Sequence, residues 1–236
     1  MAMAGPVLEA IDGPVPYTRD LLVQNGIGGI NCGSGASLAS GCLNVDRLSF
    51  TDRQGKSSAP GVLLRIRHEQ QILYYMQHDL TQPFPFADRC FAWGYSEHFI
   101  EHVTLKEAIG WFGEMRRLIA PGGLLRVTTP DLEKYIHGYA DPEEKFFAQH
   151  RERLEELQAG ETWVTNRRAW MVNQIFRYYG HQWIYDFDEI VHAASVAGFD
   201  PAGIARRAFR AGAREDLCML DSASRSDETL YVELAT

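Results

Sequence analysis

The sequence predicts a doubly wound α/β domain built on a mainly parallel sheet. Three observations lead there. Short apolar, β-prone runs alternate with segments of helical periodicity. The runs are nearly continuous in apolar residues, as strands buried on both faces are, and do not alternate. The helical segments carry explicit start and stop signals.

The elements follow in order. Residues 26–32 form a first run, ending in Gly33-Ser34-Gly35, and residues 43–45 a second, with Asp46 at its end. The polar stretch 51–61 is rich in turn formers and reads as a surface connection. Residues 72–77 form a third run ending at His78-Asp79, and residues 89–95 a fourth. Thr104-Leu105-Lys106-Glu107 is a capping box, in which hydroxyl and carboxylate satisfy free backbone N–H groups. Leu105, Ala108, Ile109, Phe112, Met115, Leu118 and Ile119 then recur with a helical period and give one apolar stripe. Pro121-Gly122-Gly123 stops that helix and leads into a fifth run, 124–128. Asp141-Pro142-Glu143-Glu144 opens another helix, with Asp as cap and Pro at the first position, running to Gln158. Its charged stretch from Glu143 to Glu156 is a solvated face or a homodimer contact. Asp186-Phe187-Asp188-Glu189 caps one more helix, which carries Ile190, Val191, Ala194 and Ala197 to a stop at Gly198. Two late runs, 203–209 and 229–234, complete the pattern.

Composition narrows the classes. A chain of 236 residues holds one domain with room for a modest lid. With 45% hydrophobic and 23% charged residues, disorder, collagen and coiled coil are excluded. The formal charge of -8 argues against a nucleic-acid or acidic-membrane partner. Cys32, Cys42, Cys90 and Cys218 show no C-x-x-C pair and read as free thiols of a reducing compartment. The start lacks the basic and apolar regions of an export signal, and no apolar stretch approaches the roughly 18 residues of a membrane helix. The expectation is a cytoplasmic protein.

In open α/β sheets, ligands bind at the carboxyl ends of the strands, near the point where strand order reverses. After the first run comes Asn31-Cys32-Gly33-Ser34-Gly35. Its glycines let the backbone approach a ligand, and a following helix would offer free N–H groups to a carboxylate or phosphate. By itself a Gly-x-Gly turn is equally a plain structural turn. Asp46, at the end of the second run, is placed to accept both hydroxyls of a ribose; Asp79, at the end of the third, to accept from the exocyclic amine of a purine. Each alone is also an ordinary turn former or cap. The three in this order point to a nucleoside.

These residues carry a resemblance. Ile30-Asn31-Cys32-Gly33-Ser34-Gly35, Leu43-Asn44-Val45-Asp46, and His78-Asp79-Leu80 with Pro83-Phe84-Pro85-Phe86 resemble class I S-adenosylmethionine-dependent methyltransferases of the type 11-like branch. So do Ser96-Glu97-His98-Phe99-Ile100-Glu101-His102, residues 115–123, and Thr129-Pro130-Asp131-Leu132. Gly180-His181-Gln182-Trp183-Ile184-Tyr185-Asp186 and Ala197-Gly198-Phe199 are similar to a later part of the same enzymes. The resemblance implies a Rossmann-like, seven-stranded, mainly parallel sheet with an antiparallel last strand. It makes residues 1–236 a single methyltransferase domain, with 132–185 as a helical, aromatic-rich substrate lid. It further implies S-adenosyl-L-methionine as cofactor. Gly33, Ser34 and Gly35 would lie under its methionine part, Asp46 would hold the ribose, and Asp79 with Leu80 the adenine. Gly94, Tyr95 and Ser96 would flank the methyl group. Two positions depart from the family: Gly29 stands where the first motif carries an acidic residue, and Asn31 where it carries its first glycine. Asn tolerates positive φ, so the turn can survive. The missing carboxylate weakens the expected grip on the cofactor's amino group.

Methyl transfer from a sulfonium is an in-line displacement, in which alignment supplies most of the help. A hydroxyl nucleophile also gains from a base, for which His is the usual choice. The candidates are His98, His102 and His181, with Asp131 to orient one of them or the substrate. The expected reaction is O-methylation of a small-molecule acceptor, a saccharide or natural-product hydroxyl. A divalent cation could help such a hydroxyl ionise. His98-Phe99-Ile100-Glu101-His102 also fits the H-x-x-E-H zinc pattern, which gives a metallohydrolase as an alternative, with Glu101 as base. A cofactor-holding protein without turnover is a third reading. Residues 161–185 hold Trp163, Trp170, Phe176, Tyr178, Tyr179, Trp183 and Tyr185. These pack the segment onto the sheet, or some of them (Trp163, Trp170, Tyr179 and Tyr185) form a stacking wall for the acceptor.

Overall fold

The computed structural model describes residues 6–68, 70–143, 145–157, 165 and 167–236. Nine strands form one sheet: β1 (Val7–Ala10), β2 (Gly29–Cys32), β3 (Cys42–Asp46), β4 (Leu64–His68), β5 (Gln71–Gln77), β6 (Phe91–Glu97), β7 (Ile119–Pro130), β8 (Ile204–Arg207) and β9 (Thr229–Ala235). Their spatial order is β1-β4-β5-β3-β2-β6-β7-β9-β8. The five strands from β5 to β7 are parallel, and β9 runs antiparallel between β7 and β8. Each of the seven predicted runs contributes one of these strands. The count is corrected to nine by an antiparallel extension in which β4 pairs with β5 and β1 with β4.

The two extra strands escaped the sequence reading because they are not doubly buried. β4 reads Leu-Arg-Ile-Arg-His: Leu64 and Ile66 are buried, while Arg65 and Arg67 reach Glu9 of β1 at 3.6 and 3.0 Å. That alternation marks a strand with one apolar face and one solvated face.

Ile30, Cys32, Leu43, Val45, Met76, Leu125, Val127 and Val232 line one face of the sheet. They pack with α1 (Arg19–Gln24), α2 (Leu105–Leu118) and α6 (Phe187–Val196) in a single apolar core. The capping box forms as read: the Thr104 hydroxyl accepts from the Glu107 N–H, and the Glu107 carboxylate accepts from the Thr104 N–H. Trp111, Phe112 and Met115 on the apolar stripe of α2 are buried. Each is worth about 1.5–3 kcal/mol relative to exposure.

The opposite face is polar, carrying Asn31, Asn44, Tyr95, Arg126, Tyr231 and Glu233 along alternate positions. On this face Arg126 meets Asp221 and the Ala208 and Ala211 carbonyls, so segments between β8 and β9 lie against it. The helix expected after Gly35 does not form. Residues 33–41 return to β3 in turns, with Gly33, Gly35 and Gly41 at positive φ. Asn44 holds this segment by accepting the Ala39 N–H at 2.8 Å and donating to the Ala39 carbonyl at 2.8 Å. Buried Arg126 is gripped by Asp221 through two hydrogen bonds of 2.9 and 2.6 Å, by Glu233 at 3.1 Å, and by the Ala208 and Ala211 carbonyls.

Between β7 and α6 lie α3 (Leu132–Ala140), α4 (Lys145–Leu157) and α5 (Arg168–Arg177). Tyr135, Phe147, Leu154, Met171, Ile175 and Ile184 form their own apolar cluster. The outer face of α4 carries the pairs Arg151–Glu155 and Arg153–Glu156, as a solvated face does. A polar clasp ties the helices to the turn before β9. The Tyr135 hydroxyl donates to Glu228 at 2.5 Å and lies 2.7 Å from His150 Nε2, whose Nδ1 lies 2.7 Å from Asp227. The four cysteines are free and buried. No helix of the described residues is long and apolar enough to cross a membrane.

Candidate functional site

Strand order reverses between β2 and β6, which places a crevice at their carboxyl ends. A cavity of about 330 Å³ opens there. Gly33 follows β2, Asp46 ends β3 with Arg47 beside it, and Asp79 and Leu80 follow β5; His98 and Phe99 follow β6, and His102 and Val103 close the wall. Four of the positions singled out for a nucleoside (Gly33, Asp46, Asp79 and Leu80) therefore share one cavity with two of the three candidate bases. Arg47, Phe99 and Val103 were not singled out; only adjacency to Asp46 and to the histidines pointed to them.

Gly33 has φ +73°, and a Cβ there would stand 3.0 Å from the Phe99 Cβ, so close approach as well as backbone conformation requires glycine. Asp46 is fixed by two backbone donors: the Gly35 N–H at 2.9 Å on one oxygen and the Leu48 N–H at 3.0 Å on the other. Each oxygen keeps a further lone pair. Asp79 accepts from Arg47 at 2.7 Å, and from the Thr81 N–H and hydroxyl at 3.0 and 2.8 Å. Burial works against its charge, but the Arg47 guanidinium and Thr81 hold the carboxyl below the usual range.

The histidines do not meet as the zinc pattern requires. Residues 100–102 form one tight turn, and His98 precedes it at φ +50°, so His98 and His102 share no helix face. His98 Nε2 lies 2.8 Å from the Thr229 hydroxyl and Nδ1 lies 3.1 Å from Glu101 Oε1. Glu101 is fully buried and accepts the Thr129 hydroxyl on its other oxygen at 3.0 Å. Burial alone would raise its pKa; His98 and His102 hold it below the ordinary value. His181 comes from the segment after α5. Its Nδ1 donates to the Ile175 carbonyl at 2.6 Å, and its buried Nε2 has no hydrogen-bond partner. Burial lowers its pKa. The His102 and His181 rings meet edge to face at 4.9 Å.

Several expected site residues lie elsewhere. Gly94, Tyr95 and Ser96 are internal to β6, because the strand continues to Glu97, and they do not line the cavity. A Cβ on Gly94 would come within 2.9 Å of Ile119 and Leu125, so that glycine serves packing; Tyr95 donates to Asp221 at 3.4 Å. Asn31 is a buried strand residue that donates to Asn44 at 3.0 Å; positive φ falls on Gly33 and Gly35 instead. Ser34 is absent from the cavity lining, and its hydroxyl makes a 3.4 Å bond to the Gly35 carbonyl. Asp131 caps α3 through the Glu133 N–H and is paired with Arg206 at 2.6 Å, so it orients no histidine. Trp170 packs against the α3–α5 cluster, and Tyr185 is buried. Tyr179 stands beside a site histidine, 5.8 Å from the His181 ring. Trp163 lies outside the described residues.

Gly29 also has a reason. A Cβ there would sit 2.1 Å from Trp93 Cε2, so the indole occupies the space of any side chain at that position.

No family model matches the chain, and no curated protein matches it. Among solved structures, an S-adenosylmethionine-dependent methyltransferase from Mesorhizobium loti is similar with a TM-score of 0.50 and 16% identity, covering 89% of this chain and 91% of that one. One from Thermotoga maritima follows with a TM-score of 0.44 and 11% identity, covering 88% of this chain and 81% of that one. One from Archaeoglobus fulgidus has a TM-score of 0.44 and 9% identity, covering 92% of each chain. This chain has the class I S-adenosylmethionine-dependent methyltransferase fold.

Proposed function

We propose that the chain transfers a methyl group from S-adenosylmethionine to a small acceptor, at a hydroxyl oxygen of a saccharide or natural product. The observation that carries this reading is the convergence of Gly33, Asp46, Asp79 and Leu80, from three strand ends, on one cavity of about 330 Å³. That volume suits a small ligand. The donor set fits a nucleoside: Asp46 is held rigid by backbone N–H groups yet keeps lone pairs for two ribose hydroxyls. Asp79 is placed to accept an exocyclic amine once exposed Arg47 swings aside. The glycine at 33 leaves the backbone open to close approach.

When bound, the cofactor supplies an electrophilic methyl carbon. The chain's part is to align the acceptor and to receive its proton. His98, on the cavity wall with its Nδ1 3.1 Å from the Glu101 carboxylate, is suited to the second task. The substrate lid lies in the helical region between β7 and α6, where Tyr179 stands 5.8 Å from the His181 ring. A protein that holds the cofactor without turnover would bind it equally well; methylation of an acceptor panel separates the two. The primary test is calorimetric titration with S-adenosylmethionine and S-adenosylhomocysteine. A saturable heat is expected. No heat, together with no thermal shift at millimolar ligand, overturns the reading.

A further inference from the structure

We propose that Glu101, His102 and His181 form a three-ligand site for a divalent first-row transition-metal ion of the zinc type, beside the cavity. This rests on the geometry of the three side chains and not on methyl transfer. One ligand atom from each lies within 4.8 Å of the other two. Tetrahedral ligands about 2.1 Å from zinc stand about 3.4 Å apart, so the group needs to close by roughly an ångström.

One buried atom already lacks a partner: His181 Nε2 makes no hydrogen bond. Glu101 Oε1, in a fully buried carboxylate, makes no bond of hydrogen-bond geometry, and its charged contact is His98 Nδ1 at 3.1 Å. Buried polar atoms normally find partners, and an unpartnered imidazole nitrogen beside a buried carboxylate calls for one. The outer contacts also have the form that metal ligands take. His181 donates Nδ1–H to a backbone carbonyl, which fixes the tautomer that presents Nε2, and Glu101 is oriented by the Thr129 hydroxyl. Two imidazoles and one carboxylate select a zinc-like ion over calcium or magnesium, and three protein ligands leave a position open. His102 lines the cavity, so that open position adjoins it. An acceptor oxygen bound there would lose its proton at a lower pH than in water.

The arrangement differs from the H-x-x-E-H reading in its members. His181 replaces His98 as a ligand, and Glu101 coordinates instead of acting as a base.

The test is titration of Co²⁺ into chelator-treated full-length protein, read by the visible d–d band and by competition with Zn²⁺. One saturable equivalent is expected, displaced by Zn²⁺. Glu101→Gln and His181→Ala should each weaken it by about a hundredfold or more, beyond what loss of an outer-shell partner costs. His137→Ala and His192→Ala, exposed histidines elsewhere, should leave it unchanged. Absence of a saturable site in the unmodified protein overturns the proposal irrespective of how the variants fold. So does unchanged Co²⁺ affinity in a His181→Ala protein with a normal melting transition.

Discussion

The Arg47 guanidinium reaches Asp79 at the cavity wall, Nη2 to Oδ2 at 2.7 Å. The pair is largely solvent-facing, with side-chain exposures of 68% and 37%. Exposed pairs contribute about 0–1 kcal/mol. Arg47→Ala should therefore leave urea stability within about 1 kcal/mol of the parent, while Asp79→Ala weakens S-adenosylmethionine binding in calorimetry. A loss above about 2 kcal/mol for Arg47→Ala would show the pair to be structural.

Asp46 anchors the turn after β2 through the Gly35 N–H and is proposed to hold the ribose. Asp46→Ala should weaken cofactor binding more than tenfold, the equivalent of a charged hydrogen bond worth about 1.5–3 kcal/mol. Unchanged affinity would mean that the ribose lies elsewhere.

Gly29 and Trp93 compete for one volume. Gly29→Ala places a Cβ at 2.1 Å from the indole and should cost about 1–3 kcal/mol or more by overpacking. In a Trp93→Ala background most of that penalty should vanish, giving a strong coupling in a double-mutant cycle by urea denaturation. Simple additivity would refute the steric account.

The Arg126–Asp221–Glu233 group is fully buried. Removing one partner leaves a charge uncompensated, so Asp221→Ala should destabilise by about 3–5 kcal/mol. A smaller loss in chemical denaturation would show that water enters the space left behind.

Glu228 gives the clasp a pH dependence. Burial opposes its charge, but Arg225, His150, His98 and the Tyr135 hydroxyl lower its pKa from 4.5 to about 2. Because the folded value is depressed, its stabilisation is present above pH 4.5 and is lost as pH falls toward about 2. Glu228→Gln should flatten the stability–pH curve in that acid window. An identical slope in parent and variant would assign the acid limb to other carboxylates.

The sequence by itself determined the seven strands β2, β3 and β5 to β9, the caps of α2 and α6, and the strand-end positions Gly33, Asp46, Asp79 and Leu80. These are local signals: apolar runs, capping residues and turn formers act within a few residues and survive in any fold of this class. Tertiary structure alone decided what depends on partners distant in the chain. The antiparallel extension of β4 and β1 depends on pairing between residues far apart in the chain, as where Glu9 meets Arg65 and Arg67, which no periodicity announces. Gly94 to Ser96 stand within β6 and not at its end, because pairing with β7 extends the strand to Glu97. The joining of His181 to His102 and Glu101 is likewise invisible along the chain. Spacing placed His98 with His102, but one backbone turn at positive φ sends His98 toward Thr229 and Glu101, and the segment after α5 brings the His181 ring beside His102.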